Sequence, residues 1–113
     1  MEAYIQGVLT DLIAAHLPAD MTRQAITGPP MGGHGALTIA LRNPGRFKST
    51  SAFAPIVSPS SCQWGEKALS GYLGPDRAVW RTWDACALIE DGARLSGILV
   101  DQGGADAFLE SQL

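Results

Sequence analysis

The stretch that decides the fold class is QAITGPPMGGHGALTIALR, residues 24–42. Residues 24–27 predict a short strand that runs into glycine. The glycine-rich residues 31–35 predict a turn, and a helix is expected from there to about Arg42. This helix is apolar on nearly every side, which is typical of a buried helix. A strand, a turn and a buried helix in this order predict one unit of a parallel sheet that is covered by helices.

The sequence on both sides continues the alternation of helices and strands. Apolar residues at helical spacing predict a helix over residues 2–17, which Pro18 ends. Further strands are expected at residues 47–53 and 97–100, where apolar residues are bounded by turn signals. Helices are expected over residues 65–72, from an Asp76 cap to Trp83, from an Asp84 cap to Ile89, and from Asp106 onward. The predicted fold class is α/β, with three parallel strands flanked by helices.

Composition and charge exclude several classes of protein. The 113 residues are 46% hydrophobic, which suits one globular domain at most and excludes a disordered chain. Eleven acidic residues outnumber eight dispersed basic ones, so no basic face is evident for a nucleic acid. The longest aliphatic run, residues 36–41, is too short to span a membrane, and the N-terminus lacks the basic region of a signal peptide. We therefore expect a cytoplasmic protein in which Cys62 and Cys86 are reduced thiols.

The glycines of the central stretch match three known motifs to different degrees. Gly28 and Gly33 have the spacing of a phosphate-binding loop, but the lysine that such a loop needs is replaced by His34. A dinucleotide fingerprint begins at Gly33, but Thr38 stands where its third glycine belongs. The better match is the nucleophile elbow of α/β-hydrolases, a strand followed by Gly-x-Ser-x-Gly and a helix, in which Pro30 occupies the position of the serine.

Several dense motifs resemble a single known family. They are MGGHGAL at residues 31–37, NPGRFKS at 43–49, SAFAPI at 51–56, WGEKALSGYLG at 64–74, and DQG at 101–103 with Asp106 and Phe108. Taken together, they run over essentially the whole chain. On these residues the chain resembles the S-formylglutathione hydrolases, the esterase D family of serine esterases. The resemblance implies an α/β-hydrolase fold.

The resemblance also implies an activity and the residues that carry it. The family hydrolyses a small-molecule thioester, S-formylglutathione, to glutathione and formate in formaldehyde detoxification. It uses a Ser-Asp-His triad and neither a metal nor an organic cofactor. The nucleophile position falls on Pro30 and the triad acid on Asp106, in the loop after the third strand. The backbone N–H of Met31 is the implied oxyanion-hole donor. No nucleic-acid or membrane partner is expected, and homo-oligomerisation is left open.

The same comparison implies that the chain is only part of a catalytic domain. Residues 1–113 are expected to form a single incomplete α/β-hydrolase domain, its central part. The family's N-terminal strands, with the second oxyanion donor, would precede it. The triad histidine would follow it. The strand at residues 24–27 would then have a bare outer edge, which favours aggregation.

Pro30 predicts that the chain is inactive as written. Proline has no hydroxyl to attack an acyl carbon, and its ring holds φ near –65°, whereas the elbow nucleophile normally has a positive φ. Pro29 restricts the backbone further. Two alternatives remain open. One is a non-catalytic pseudoenzyme that acts as an interaction module. The other is an active serine esterase whose sequence was truncated and misread.

Other chemically capable side chains have more ordinary expected roles. A relocated nucleophile among residues 58–62 would need an adjacent base, and none is evident in the sequence. His34 is expected to start a helix and bond locally, and His16 to lie on the surface at a helix end. Asp101 is expected to close its strand. Trp64, Trp80 and Trp83 are expected to pack, with the alternative that Trp64 lines an acyl or thiol pocket in the complete fold.

Overall fold

A computed structural model describes residues 1–112, and in this range three parallel strands form one sheet. The strands are β1 (Ala25–Gly28), β2 (Ser49–Phe53) and β3 (Ile98–Asp101), in the order β1-β2-β3. Gly28 lies opposite Ala52, and Phe53 lies opposite Asp101. The carboxyl ends of the three strands therefore share one edge of the sheet, as the predicted fold class requires.

Helices connect and flank these strands. The N-terminal segment is helical, with a π-helical part at Tyr4–Leu9 that continues into α1 (Thr10–His16). The remaining helices are α2 (Pro30–Arg42), a 3-10 turn at Pro59–Ser61, α3 (Gln63–Leu73), α4 (Arg77–Arg81), α5 (Ala85–Glu90) and α6 (Leu109–Gln112). The predicted caps are confirmed, since Asp76 accepts a hydrogen bond from the amide of Ala78 and Asp84 accepts one from the amide of Ala87.

The central stretch differs from its prediction at one point, because residues 31–35 belong to a helix and not to a turn. Pro29 is extended (φ –85°, ψ 170°), and α2 begins at Pro30, its first-turn proline. Proline is favoured there because a first-turn N–H has no intrahelical partner anyway. The glycines instead allow close packing, since a Cβ on Gly28 would lie 2.3 Å from the carbonyl carbon of Gly32.

The core lies where α2 crosses the sheet. Its buried cluster contains Leu37, Leu41, Ala52 and Ala85, packed by the partly buried Val57, Leu88, Ala93 and Leu95. The predicted burial of the second helix is confirmed, because residues 36–41 are all buried. Each fully buried leucine contributes roughly 1.5–3 kcal/mol relative to an exposed one.

Within residues 1–112, β1 and β3 are the edge strands of the sheet, and each pairs with β2 alone. All four residues of β3 are exposed. Most of the apolar stripe of the N-terminal helix is exposed too. Polar contacts hold that helix to the body: Glu2 pairs with Arg42 at 3.2 Å, and Arg46 donates to the carbonyl oxygen of Gln6 at 3.1 Å.

Candidate active site

The start of α2, directly after β1, forms the first part of the candidate site. Within residues 1–112, the non-glycine residue with a φ in the left-handed region is Ala54, so Pro30 does not have the strained backbone of an elbow nucleophile. Pro30 instead has the ordinary geometry of a first helical residue, and its ring carries no nucleophilic atom.

Met31 lies directly after Pro30, in the first turn of α2. The first backbone hydrogen bond of this helix runs from the amide of Gly33 to the carbonyl oxygen of Pro29, at 2.9 Å. The Met31 N–H precedes this bond and is one of the amides that a helix start leaves without an intrahelical acceptor. Such an amide has the chemistry of an oxyanion-hole donor. The Met31 side chain is exposed and borders a cavity.

Asp106 lies in the loop after β3, at the same edge of the sheet. Its carboxylate accepts hydrogen bonds from the Gln102 side-chain amide at 3.1 Å and from the Phe108 backbone amide at 2.9 Å. These two bonds hold the side chain in the loop ahead of α6. Asp101 ends β3 as expected, and its carbonyl oxygen accepts a bond from the amide of Ala54 at 2.7 Å.

Ala54 is a strained residue that the sequence did not indicate. It follows β2, has a φ of 48°, and directly precedes Pro55. A left-handed φ costs a non-glycine residue about 1–2 kcal/mol, and the residue before a proline also avoids helical conformations. Strained residues cluster at functional sites. Here the strain lies at the carboxyl edge of the sheet, where Ala54 bonds to the end of β3.

A largely apolar cavity of about 370 Å³ lies between α2 and α3, beside Met31. Its lining is Met1, Met31, His34, Gly35, Ile56, Pro59, Trp64, Gly65, Ala68, Leu69 and Tyr72. Trp64 thus borders a cavity, and its role in an acyl or thiol pocket stays a prediction. The packing roles expected for the other two tryptophans are confirmed. Trp80 is buried and donates to the carbonyl of Gly74, and Trp83 stacks on Arg42 with 4.2 Å from the guanidinium carbon to the ring centroid.

The two histidines have different surroundings. His16 is exposed in the last turn of α1, as expected. His34 borders the cavity, and its Nε2 lies 2.7 Å from the carbonyl oxygen of Trp83, which is 49 residues away. The expectation of a local bond was therefore wrong. Because a carbonyl oxygen only accepts, Nε2 carries the proton and donates it.

The serines that follow β2 contact an acid and each other. Ser60 donates from both its hydroxyl and its amide to the carboxylate of Asp84, and the Ser58 and Ser61 hydroxyl oxygens lie 3.2 Å apart. None of these contacts supplies a histidine base. Asp84 was predictable only as a helix cap, because 24 residues separate it from Ser60 and no local pattern indicates the bonds between them.

Both cysteines are free thiols with structural surroundings. The Sγ of Cys62 accepts the amide of Gly65 at 3.3 Å and so caps α3. Burial raises the pKa of the Cys86 thiol above its ordinary value, and the negative charges of Asp84 and Glu90 add to this shift. A raised pKa disfavours the nucleophilic thiolate.

In the described part of the chain, residues 1–112, no group of three or more histidine, cysteine, aspartate or glutamate side chains is placed to hold a metal ion. No helix there is long and apolar enough to cross a membrane.

Comparison with known proteins identifies a family over the whole chain. The Esterase family model, described as "Putative esterase", matches residues 1–113. S-formylglutathione hydrolase of Mus musculus is 50% identical over 113 residues, which are 98% of this chain and 40% of the relative. The Bos taurus protein of the same name is 47% identical over 111 residues, which are 96% of this chain and 39% of the relative. This chain thus spans about 40% of the length of these relatives.

Solved structures agree with this assignment. An S-formylglutathione hydrolase from Agrobacterium tumefaciens matches with a TM-score of 0.96 and 62% identity over 100% of this chain and 41% of that one. MPT51 of Mycobacterium tuberculosis matches with a TM-score of 0.60 and 22% identity over 93% of this chain and 46% of that one, a likeness of fold alone. The three parallel strands and flanking helices are part of an α/β-hydrolase fold, as the sequence predicted.

Proposed function

This chain belongs to the Esterase family, and from that premise we propose that it is the central part of an S-formylglutathione hydrolase domain that cannot perform triad chemistry as written. The parent activity would be hydrolysis of a thioester or carboxylester, with S-formylglutathione giving glutathione and formate. Its setting would be formaldehyde detoxification in the cytoplasm. The names of relatives at 47–62% identity support this substrate class.

We assign the proposed roles to residues along the carboxyl edge of the sheet. Pro30 occupies the nucleophile position, the Met31 amide would donate to an oxyanion, and Asp106 would orient a histidine. Residues 1–113 would correspond to the central part of the domain. The family's N-terminal strands and its histidine-bearing segment would belong to residues outside this sequence. The placement of Asp106 beside Gln102 and Phe108, in the loop after β3, suits such a role.

The proposal that the chain is inactive rests on one observation, the proline at the nucleophile position. Acyl transfer by a triad begins when a hydroxyl oxygen attacks the carbonyl carbon while a histidine takes its proton. Pro30 has no such oxygen, and no backbone strain at residue 30 exposes a side chain as the elbow does. His34, four residues on, already donates its Nε2 proton to the carbonyl oxygen of Trp83. Residue 30 therefore lacks the attacking oxygen, and the Nε2 atom of His34 is not free to take a proton.

An esterase assay tests the proposal directly. The purified chain is assayed with S-formylglutathione and with p-nitrophenyl acetate, and is then treated with a serine-directed fluorophosphonate. We expect no turnover above buffer and no covalent label. The variant Pro29→His/Pro30→Ser restores the family's pair of residues, and we expect it to remain inactive because its serine has no histidine base.

Two results would overturn the proposal. Turnover by the unaltered chain that the fluorophosphonate abolishes would show a working serine elsewhere, for example in the segment 58–61. Turnover by the restored variant alone would show that a histidine within residues 1–113 serves as the base. A Ser60→Ala variant, assayed in parallel, identifies or excludes that serine as the nucleophile.

A further inference from the structure

Asp84 is a buried carboxyl group that bonds both to the start of its own helix and to a distant turn of the chain. Its side chain is 1% exposed. One oxygen accepts the amide of Ala87 at 2.9 Å, which caps α5. The other oxygen accepts both the amide of Ser60, at 3.0 Å, and the Ser60 hydroxyl. A buried carboxyl group is costly unless donors satisfy it, and here three donors do so.

The turn that Asp84 binds is short and forms part of the cavity. Pro59–Ser61 is a single 3-10 turn of 3 residues, too short to be stable alone. Its Pro59 is buried and lines the cavity. A second bond joins the same two regions, from the amide of Cys86 to the carbonyl oxygen of Val57 at 3.1 Å. The start of α5 therefore holds the segment that follows β2 at two points.

The Pro59–Ser61 turn sets the position of α3. A Cβ on Gly65 would lie 2.2 Å from the carbonyl oxygen of Pro59, so α3 rests directly on the turn. Cys62, which follows the turn, caps the same helix. Trp64, which directly precedes Gly65 in α3, borders the cavity beside Met31. A displacement of the turn would therefore move α3 and the indole of Trp64 with it.

We propose that Asp84 is a positioning residue for the candidate active site. Through its bonds to Ser60, Asp84 fixes the Pro59–Ser61 turn and thereby the position of α3, which forms one side of the cavity. The term active site here rests on the proposed function, whereas the mechanical coupling does not. The competing explanation is that Asp84 only caps its own helix. Asp76 provides the reference for that case, because it caps α4 through the amide of Ala78 and is exposed.

The variant Asp84→Asn separates the two explanations. Asparagine is as good a cap as aspartate, so the oxygen facing Ala87 is retained while the one facing Ser60 becomes an amide nitrogen. Amide hydrogen exchange is measured by NMR in the unaltered chain and in the variant. We expect exchange at Ser60 to rise about tenfold, since a hydrogen bond to a charged group is lost. Exchange at Ala87 should change far less.

A second readout follows Trp64 in the same samples. Its indole N–H resonance, assigned by its loss in Trp64→Phe, should shift in Asp84→Asn by more than its linewidth. Asp76→Asn should leave that resonance in place. Ser60→Ala keeps Asp84 intact and removes only the hydroxyl bond, so it should shift the Trp64 resonance in the same direction by less. Should Asp84→Asn fail to fold, Ser60→Ala decides the question.

The proposal is overturned when the Ser60 amide and the Trp64 resonance are unchanged in the folded variants, or when Asp76→Asn shifts the Trp64 resonance equally. Neither readout involves hydrolysis. Failure of the coupling and failure of the proposed function are therefore distinguishable, because the second is decided by the fluorophosphonate assay.

Discussion

Two glycines of α3 provide a sharp test of how this helix packs. Gly65 and Gly71 lie in the same helix, Gln63–Leu73. A Cβ on Gly65 would lie 2.2, 2.5 and 2.6 Å from the carbonyl oxygen, Cα and carbonyl carbon of Pro59. A Cβ on Gly71 would have no heavy atom within 4 Å. The same substitution, glycine to alanine, should therefore change stability in opposite directions at the two positions.

The expected magnitudes follow from two opposing terms. Replacing glycine by alanine within a helix stabilises the folded state by about 0.5–1 kcal/mol. Gly71→Ala should show this gain alone. Gly65→Ala gains the same amount but overpacks against backbone atoms, which costs about 1–3 kcal/mol. Because three backbone atoms would be contacted, the upper end applies, and a net loss of about 2 kcal/mol is expected. The two variants should differ by about 3 kcal/mol.

Urea unfolding followed by circular dichroism measures both variants against the unaltered chain. Equal m-values would show that the midpoints report stability, not a changed unfolded state. In a thermal scan the difference between the variants should exceed roughly 10 °C, given about 4–8 °C per kcal/mol for a domain of this size. The packing of α3 on the turn is refuted when Gly65→Ala is as stable as Gly71→Ala.

Three further predictions concern single residues. Ala54→Gly should stabilise the chain by about 1 kcal/mol in the same unfolding assay, because glycine adopts the left-handed φ without strain; a loss of stability would contradict this. His34→Ala should destabilise it by about 1 kcal/mol through loss of the hydrogen bond to Trp83, and an unchanged midpoint would argue against that bond. The raised pKa of Cys86 means that the folded state keeps its proton at a pH where the unfolded state has lost it, so stability should fall as pH rises above the ordinary thiol pKa. Cys86→Ala should flatten this alkaline decline relative to the unaltered chain, and an identical decline in both would contradict the assignment.

Much of the fold could be predicted from the sequence because its signals are local. Apolar spacing marked the buried part of α2, and turn residues bounded β2 and β3. Asp76 and Asp84 marked helix starts through the chemistry of their own side chains. The prediction failed at residues 31–35, where glycine suggests a turn by propensity. These residues are instead part of α2, whose start packs closely against the end of β1.

The candidate site was predictable in part only. The roles of Pro30, Met31 and Asp106 stay predictions that rest on the elbow motif and the family resemblance; the structure has the first two in the first turn of α2 and the third in the loop after β3. Ala54 was not predictable, because its left-handed φ results from its surroundings and not from any preference of alanine. The same holds for the bond between His34 and Trp83, which joins residues far apart in the sequence.

By itself, the sequence determined the family, the parallel α/β architecture and the absence of a hydroxyl at residue 30, because these depend on residue identity and local spacing. The tertiary structure alone decided which distant groups meet: Asp84 with Ser60, Pro59 with Gly65, and Trp64 with the cavity beside Met31. The physical reason is that buried polar groups must find donors and helices must pack without voids. Those requirements are met by contacts that only the folded chain creates.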